Sequence, residues 1–251
     1  MQSKRDLRLN QDTNFLKLIA IISMLIDHIG AALFPQYRVL RIIGRIAFPI
    51  FAYSLTVGSI YTSNMGKYLL RVAILALISQ PIYVIALNHV SPAMRAISFE
   101  GNWISAAIRW YLLSFRQPNI LVSLFAGLLL IFTIKEKKYI LGAAVFLLIW
   151  YTKGYLNYGL EGIVLMVLFF AFCDQPLTSF IWVAGFMIWW GCQRTGYQLG
   201  PVRFGTQMFA VFSLPLIYIP MKTNIRINKY VFYFFYPLHL LGIYLASLFM
   251  Q

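Results

Sequence analysis

Four ionisable side chains stand inside apolar runs near the start of the chain. Asp27 and His28 lie in Leu25-Ile26-Asp27-His28-Ile29-Gly30, and Arg41 and Arg45 in Leu40-Arg41-Ile42-Ile43-Gly44-Arg45-Ile46-Ala47-Phe48-Pro49-Ile50-Phe51. A charge at the centre of a bilayer costs roughly 2.5 to 3.5 kcal/mol on insertion scales, so groups placed there require a compensating role. Imidazole is the side chain best suited to accept and return a proton near neutral pH. Arg41 and Arg45 are four residues apart and share a helix face, where they repel each other unless an anion lies nearby. Asp27 offers one negative charge against the two guanidiniums. The combination points to a polar site between the first two apolar segments, holding an anionic ligand and moving a proton or an acyl group. Successive helical residues point about 100° apart. Asp27 is therefore expected to pair with Arg41 or Arg45 across the hairpin while His28 faces a cavity; a purely structural ion network is the competing reading.

Other polar residues carry weaker signals. His239 follows a proline break in Tyr236-Pro237-Leu238-His239, and reads either as a helix contact or as a cavity group beside Tyr236. His89 falls in a loop and is expected to be solvated. Glu161 reads as a carboxylate near a segment end, which reaches water cheaply. Gln80, Asn119 and Gln207 either join helices or touch substrate. There is no Walker lysine loop, dinucleotide fingerprint, HExxH or CxxC pair, no serine elbow, and the three histidines are dispersed, so no metal site is expected.

The elements that must position these groups are apolar helices. Of 251 residues, 61% are hydrophobic and 11% charged, against about 25% charged in soluble domains. The chain reads as an all-α, polytopic integral membrane bundle forming one domain over residues 1–251. Apolar windows of span length fall at 15–34, 39–61, 68–87, 118–134, 139–152, 158–173, 177–192, 204–221 and 230–250, about nine transmembrane helices. The fifth, sixth and seventh are short and suit re-entrant or tilted segments buried in protein. Residues 1–14 read as an N-terminal tail leading into a retained first span rather than a cleaved signal. The longest connection, 88–117, includes Trp103 to Leu113, which fits either an interfacial amphipathic helix acting as a lid or a plain connector. Pro49, Pro81, Pro215 and Pro237 each remove a backbone donor within an apolar run.

The formal net charge is +14, but the basic residues are scattered among segment ends, with no basic arm for nucleic acid. With the N-terminus inside, twelve fall on the cytoplasmic side, Lys4, Arg5, Arg8, Lys135, Lys137 and Lys138 among them, and eight on the other, Arg194 among them. This bias favours a multi-pass protein of the cell membrane with a cytoplasmic N-terminus. Cys173 and Cys192 fall at opposite ends of one apparent hairpin, which disfavours a disulfide.

Asp27-His28-Ile29-Gly30, the run Leu40 to Phe51, Lys67-Tyr68-Leu69-Leu70-Arg71 and Phe235-Tyr236-Pro237-Leu238-His239 resemble the TraX family, named for a conjugal-transfer pilin acetylase. Asn119-Ile120 with Gly127-Leu128-Leu129, Tyr158-Gly159 with Gly162, and Gln207 with Phe209-Ala210 extend the likeness over most of the chain. Ser79-Gln80 departs from it, where the family often has an acidic residue after the serine. The resemblance implies acetyl-CoA as donor at a bacterial cytoplasmic membrane, and a relation to the transmembrane acyltransferases. It implies His28 as catalytic base, with Arg41 and Arg45 bordering the donor; Asp27 is counted beside His28 as a catalytic candidate, and Tyr236 and His239 beside the arginines as donor-binding candidates. The acceptor, an amine or hydroxyl of a peptide, sugar or lipid, is left open. In the orientation above these residues lie in the outer half, so donor phosphates enter by a deep channel, or the arginines hold Asp27 and the carbonyl end. A proton-coupled transporter and a non-catalytic assembly protein are the alternatives.

Overall fold

A computed structural model of the chain describes Asn10, residues 12–193 and residues 196–250. Lys4, Arg5, Arg8 and Arg194, used above for orientation, lie outside the described residues, as does most of the expected tail.

Among the described residues every regular element is a helix apart from one short hairpin. In order it forms α1 (Thr13–Ala32), α2 (Arg38–Gly44), α3 (Ala47–Tyr61), α4 (Met65–Ala86), α5 (Pro92–Arg95), α6 (Trp103–Ser114), α7 (Ile120–Lys135), α8 (Tyr139–Thr152), α9 (Gly159–Ala171) and α10 (Pro176–Cys192). An antiparallel hairpin β1 (Tyr197–Leu199) and β2 (Val202–Phe204) follows, then a 3-10 helix (Thr206–Ser213), α11 (Leu214–Tyr218) and α12 (Lys229–Phe249). Helix starts are written locally. Side chains of Asp12, Asn64, Asn102, Asn119 and Asn228 each accept a hydrogen bond from a backbone N–H in the first turn of the helix that follows, donors that otherwise have no intrahelical partner.

Four segments among the described residues are long and apolar enough to cross a membrane: Thr13–Ala32, Arg38–Tyr61, Met65–Ala86 and Tyr230–Phe249. The remaining apolar helices, Ile120–Lys135, Tyr139–Thr152, Gly159–Ala171, Pro176–Cys192 and Thr206–Tyr218, are shorter. Each expected span therefore meets an apolar helical segment, but nine full crossings are not established. At 1.5 Å per residue a helix the length of α9 covers only about 20 Å of a ~30 Å hydrocarbon core. The α9 helix buries Gly162, Ile163, Leu165, Met166, Phe169 and Phe170 within the protein, whereas α8 buries only Val145 and Ile149. The window 204–221 is not one α-helix. A hairpin strand enters it, and a 3-10 segment runs up to the α11 turn that carries Pro215, whose ring nitrogen cannot donate back to the preceding turn.

The prolines shape the rest. Pro49 sits in the first turn of α3 and has no N–H for the Arg45 carbonyl, and the helix is broken between Gly44 and Ala47. Pro81 lies inside α4. The Leu77 carbonyl one turn earlier, which Pro81 cannot bond, instead accepts the Tyr111 hydroxyl at 3.0 Å. Beside it the buried Gln80 donates to the carbonyls of Ser114 and Gln117 at 2.8 and 3.1 Å and accepts from the Asn119 backbone N–H and side-chain amide at 2.8 and 2.9 Å. Asn119 also donates to the Ala76 carbonyl at 2.8 Å. Gln80 and Asn119 thus join α4 to the α6–α7 connection, satisfying polar groups that burial would otherwise penalise. Helix α6 forms within the long connection and exposes Trp103, Ile104, Ile108 and Leu112, an apolar stripe suited to the edge of a bilayer.

Two large clusters of apolar side chains hold the bundle, beside a third, of Val145, Ile149 and Ile163, that joins α8 to α9. The larger joins α1, α3, α7, α9, α10 and α11 through Leu16, Ala20, Tyr53, Leu128, Met166, Phe169, Met187 and Ile217. The smaller joins α1, α3, α4, α5 and α12 through Met24, Ala47, Tyr83, Val84, Met94, Tyr236 and Leu240. Between them lies the cavity.

Candidate functional site

Helix α1 carries two seams. Ser23, Asp27 and Gly30 follow helical spacing and face α2. The Ser23 hydroxyl donates to the Ile43 carbonyl at 2.6 Å, and Gly30 and Gly44 admit Leu40 and Asp27 where any Cβ would collide with them. In that seam Asp27 receives Arg41 Nη1 on Oδ2 at 2.6 Å and Arg45 Nη2 on Oδ1 at 3.1 Å. Arg41 Nη1 also donates to the Asp27 carbonyl at 3.1 Å, and Arg45 Nε to the Arg41 carbonyl at 3.2 Å. One carboxylate therefore orders two guanidiniums, which still hold several undirected N–H donors and an excess positive charge.

Met24 and His28 form the second seam, toward the cavity and α12. His28 Nδ1 lies 2.8 Å from His239 Nε2, a pairing of residues 211 apart in sequence. The rings are nearly parallel, 6° between planes, and each residue is 8% exposed. His239 Nδ1 lies 2.8 Å from the Phe235 carbonyl, and a carbonyl can only accept. For neutral imidazoles this settles the proton positions. His239 carries its proton on Nδ1, its Nε2 accepts, and His28 donates from Nδ1, so His28 Nε2 holds the lone pair. No described residue hydrogen-bonds that nitrogen. Phe235 stacks on His239 at 4.9 Å and Tyr236 meets it edge-on at 5.5 Å, fixing the ring from both sides.

The cavity encloses about 840 Å³, within the range of small-molecule sites. Asp27, His28, Arg41 and Arg45 all line it, together with the first turn of α3 and the loop between α8 and α9. Tyr236 and His239, expected at the donor, are not among its lining residues; His239 stands behind His28. Glu161 and Gln207 do line it, and Gln207 Nε2 is buried there with no hydrogen-bond partner.

Four lining residues escaped the sequence reading. His89, expected in solvent, lines the cavity and packs against Tyr83 at 5.4 Å. Asn88 takes φ 55°, a left-handed turn that asparagine tolerates, and the His89 N–H returns to the Val84 carbonyl at 2.8 Å, closing α4 and folding His89 inward. Burial, then the nearby Arg41 charge, holds the His89 imidazole below its ordinary pKa. Tyr158 is stacked on Phe48 at 3.9 Å and meets Trp190 edge-on at 5.9 Å, and burial pushes its phenol above the ordinary value. Tyr83 and Asn157 complete the set, with Asn157 Nδ2 donating to the Tyr83 hydroxyl at 2.9 Å. An asparagine at a helix end was the one local signal that could have pointed to His89.

The sequence matches the family described as TraX protein over residues 12–247. A probable fimbrial assembly protein FimC, serogroup H1, from Dichelobacter nodosus is 26% identical over 252 residues, covering 94% of this chain and 96% of that protein. An uncharacterized protein from Rickettsia prowazekii is 52% identical over 40 residues, 16% of each chain. No solved structure matches.

Proposed function

This chain belongs to the TraX family, and from that premise we propose that it is a membrane-embedded acyltransferase that moves an acetyl group from acetyl-CoA to an amine or hydroxyl acceptor. The observation that carries the reading is the His28–His239 pair, which leaves a nitrogen lone pair on a residue lining the same cavity as two guanidiniums that share one carboxylate. Nε2 of His28 takes the proton from the attacking N–H or O–H as the new bond to the carbonyl carbon forms. The same proton then passes to the departing sulfur as the C–S bond breaks, so the imidazole ends neutral. Arg41 and Arg45, ordered by Asp27, supply donors to the anionic donor molecule. Asp27 thus positions guanidiniums rather than assisting His28 directly. The apolar helices and the bacterial relatives support a place in the bacterial cytoplasmic membrane, and the excess of basic residues on one side supports a cytoplasmic N-terminus.

A second reading has its own support. The Dichelobacter relative bears the name of a fimbrial assembly protein, and a non-catalytic assembly role would make the ion network structural. Purified protein in lipid nanodiscs separates the two. Acetyl-CoA raises the melting temperature while inorganic phosphate does not, and acetyl-CoA at 100 times its Kd stabilises by about 2.7 kcal/mol. His28→Ala keeps that stabilisation and loses release of the free thiol when a short peptide amine is supplied as acceptor; Arg41→Gln weakens the stabilisation. Equal melting temperatures with and without acetyl-CoA favour the assembly role.

A further inference from the structure

The geometry points to Tyr83 as a further catalytic residue, its hydroxyl donating to the carbonyl oxygen of the acyl group, with Asn157 as the residue that positions it. This inference rests on the acyl-transfer reading above and adds the group that stabilises charge on oxygen.

The hydrogen-bond roles at the pair are fixed by chemistry. An amide nitrogen only donates, so Asn157 Nδ2, 2.9 Å from the Tyr83 oxygen, occupies a lone pair of the phenol and not its proton. The same Nδ2 faces the Pro118 carbonyl at 3.5 Å, which sets the amide with nitrogen inward. No described residue accepts the Tyr83 proton. Both residues line the cavity that holds His28 and Arg41. Tyr83 is 6% exposed and packs in the same cluster as Met24, one helical turn before His28, and Tyr236, three residues before His239. Its ring is also held against His89 at 5.4 Å. A rigid phenol in apolar surroundings, its oxygen engaged by a donor and its proton unspent, supplies a directed donor in a setting where one is most effective.

In the step it serves, the nucleophile bonds to the carbonyl carbon and its proton goes to His28 Nε2. The carbonyl π electrons move onto oxygen, where the Tyr83 O–H hydrogen bond stabilises them. They return as the C–S bond breaks, and the sulfur takes the proton back from His28. Tyr83 keeps its own proton throughout.

Two measurements on the full chain in nanodiscs test this. In the otherwise native protein, with a short peptide bearing a free N-terminal amine supplied as acceptor, Tyr83→Phe lowers kcat for thiol release on the order of 100- to 1000-fold with KM for acetyl-CoA unchanged. Without turnover, the His28→Ala variant is loaded with acetyl-CoA carrying carbon-13 at the carbonyl, and its infrared stretch lies at lower wavenumber than in solution. Adding Tyr83→Phe removes that displacement. Where the Phe variant fails to fold, Asn157→Asp replaces it, because a carboxylate draws the Tyr83 proton to itself. A carbonyl band that is the same with and without the Tyr83 hydroxyl overturns this inference alone. Absence of acetyl-CoA binding to the wild-type protein overturns the donor reading and this inference with it.

Discussion

Replacing His239 by alanine tests the imidazole pair. In the native arrangement the His28 Nδ1–H is satisfied by His239 Nε2 at 2.8 Å, and that bond holds the lone pair on Nε2. Without its acceptor, the buried N–H is left unsatisfied, at a cost of roughly 1 to 3 kcal/mol. The tautomer with its proton on Nε2 gains by the same amount. At 1.36 kcal/mol per tenfold, the fraction of His28 in the competent form, and kcat with it, falls by up to about 5- to 160-fold. Because His239 does not line the cavity, KM for acetyl-CoA stays the same. His239→Gln, which brings an amide oxygen able to accept from Nδ1, recovers part of the loss. The assay is thiol release from acetyl-CoA by protein in nanodiscs with a short peptide amine supplied as acceptor, the melting temperature being followed in parallel. Full kcat in His239→Ala would refute the tautomer reasoning, and so would a loss in KM alone.

Two further outcomes follow from geometry away from the reacting nitrogen. A Cβ at Gly44 lands on the Asp27 side chain, so Gly44→Ala displaces Asp27 from Arg41 and Arg45 and lowers stability by about 1 to 3 kcal/mol; Gly185→Ala, with nothing near its added carbon, serves as the control and leaves the melting temperature unchanged or higher. The Thr223 hydroxyl and then its backbone N–H, donating to Asp12 at 2.6 and 2.8 Å, hold the Asp12 carboxyl below its ordinary 3.8. That contribution is complete above the unfolded value and is lost as pH falls through the folded one. Asp12→Asn is therefore less stable than wild type at neutral pH, and the two melting curves converge on acidification.

Local pattern made some of the site legible. Asp27 between two arginines one turn apart, across a short connection, left few arrangements for a buried charge, and the structure brings these three together. The apolar windows located the helices because continuous hydrophobic runs persist whatever the tertiary fold. Whether a run crosses a bilayer depends on length and on what covers it, and α9 is short and wrapped by protein. The window at 204–221 misled because composition does not distinguish a 3-10 segment from an α-helix. The partner of His28 was out of reach for a different reason. His239 is 211 residues away, and only the packing of α1 on α12 joins them. Tyr83 and Asn157 are ordinary residues by type, and acquire a role only where α4 meets the loop between α8 and α9.

Where a donor sits in the cavity decides between acyl transfer and a purely structural ion network. A cryo-EM structure of the protein in nanodiscs with a ketone analogue of acetyl-CoA, in which a methylene replaces the thioester sulfur, shows this directly. Phosphate oxygens within hydrogen-bonding reach of Arg41 and Arg45, and the carbonyl carbon facing His28 Nε2, are the predicted result. Density for the analogue outside this cavity, or none at saturating concentration, would contradict it.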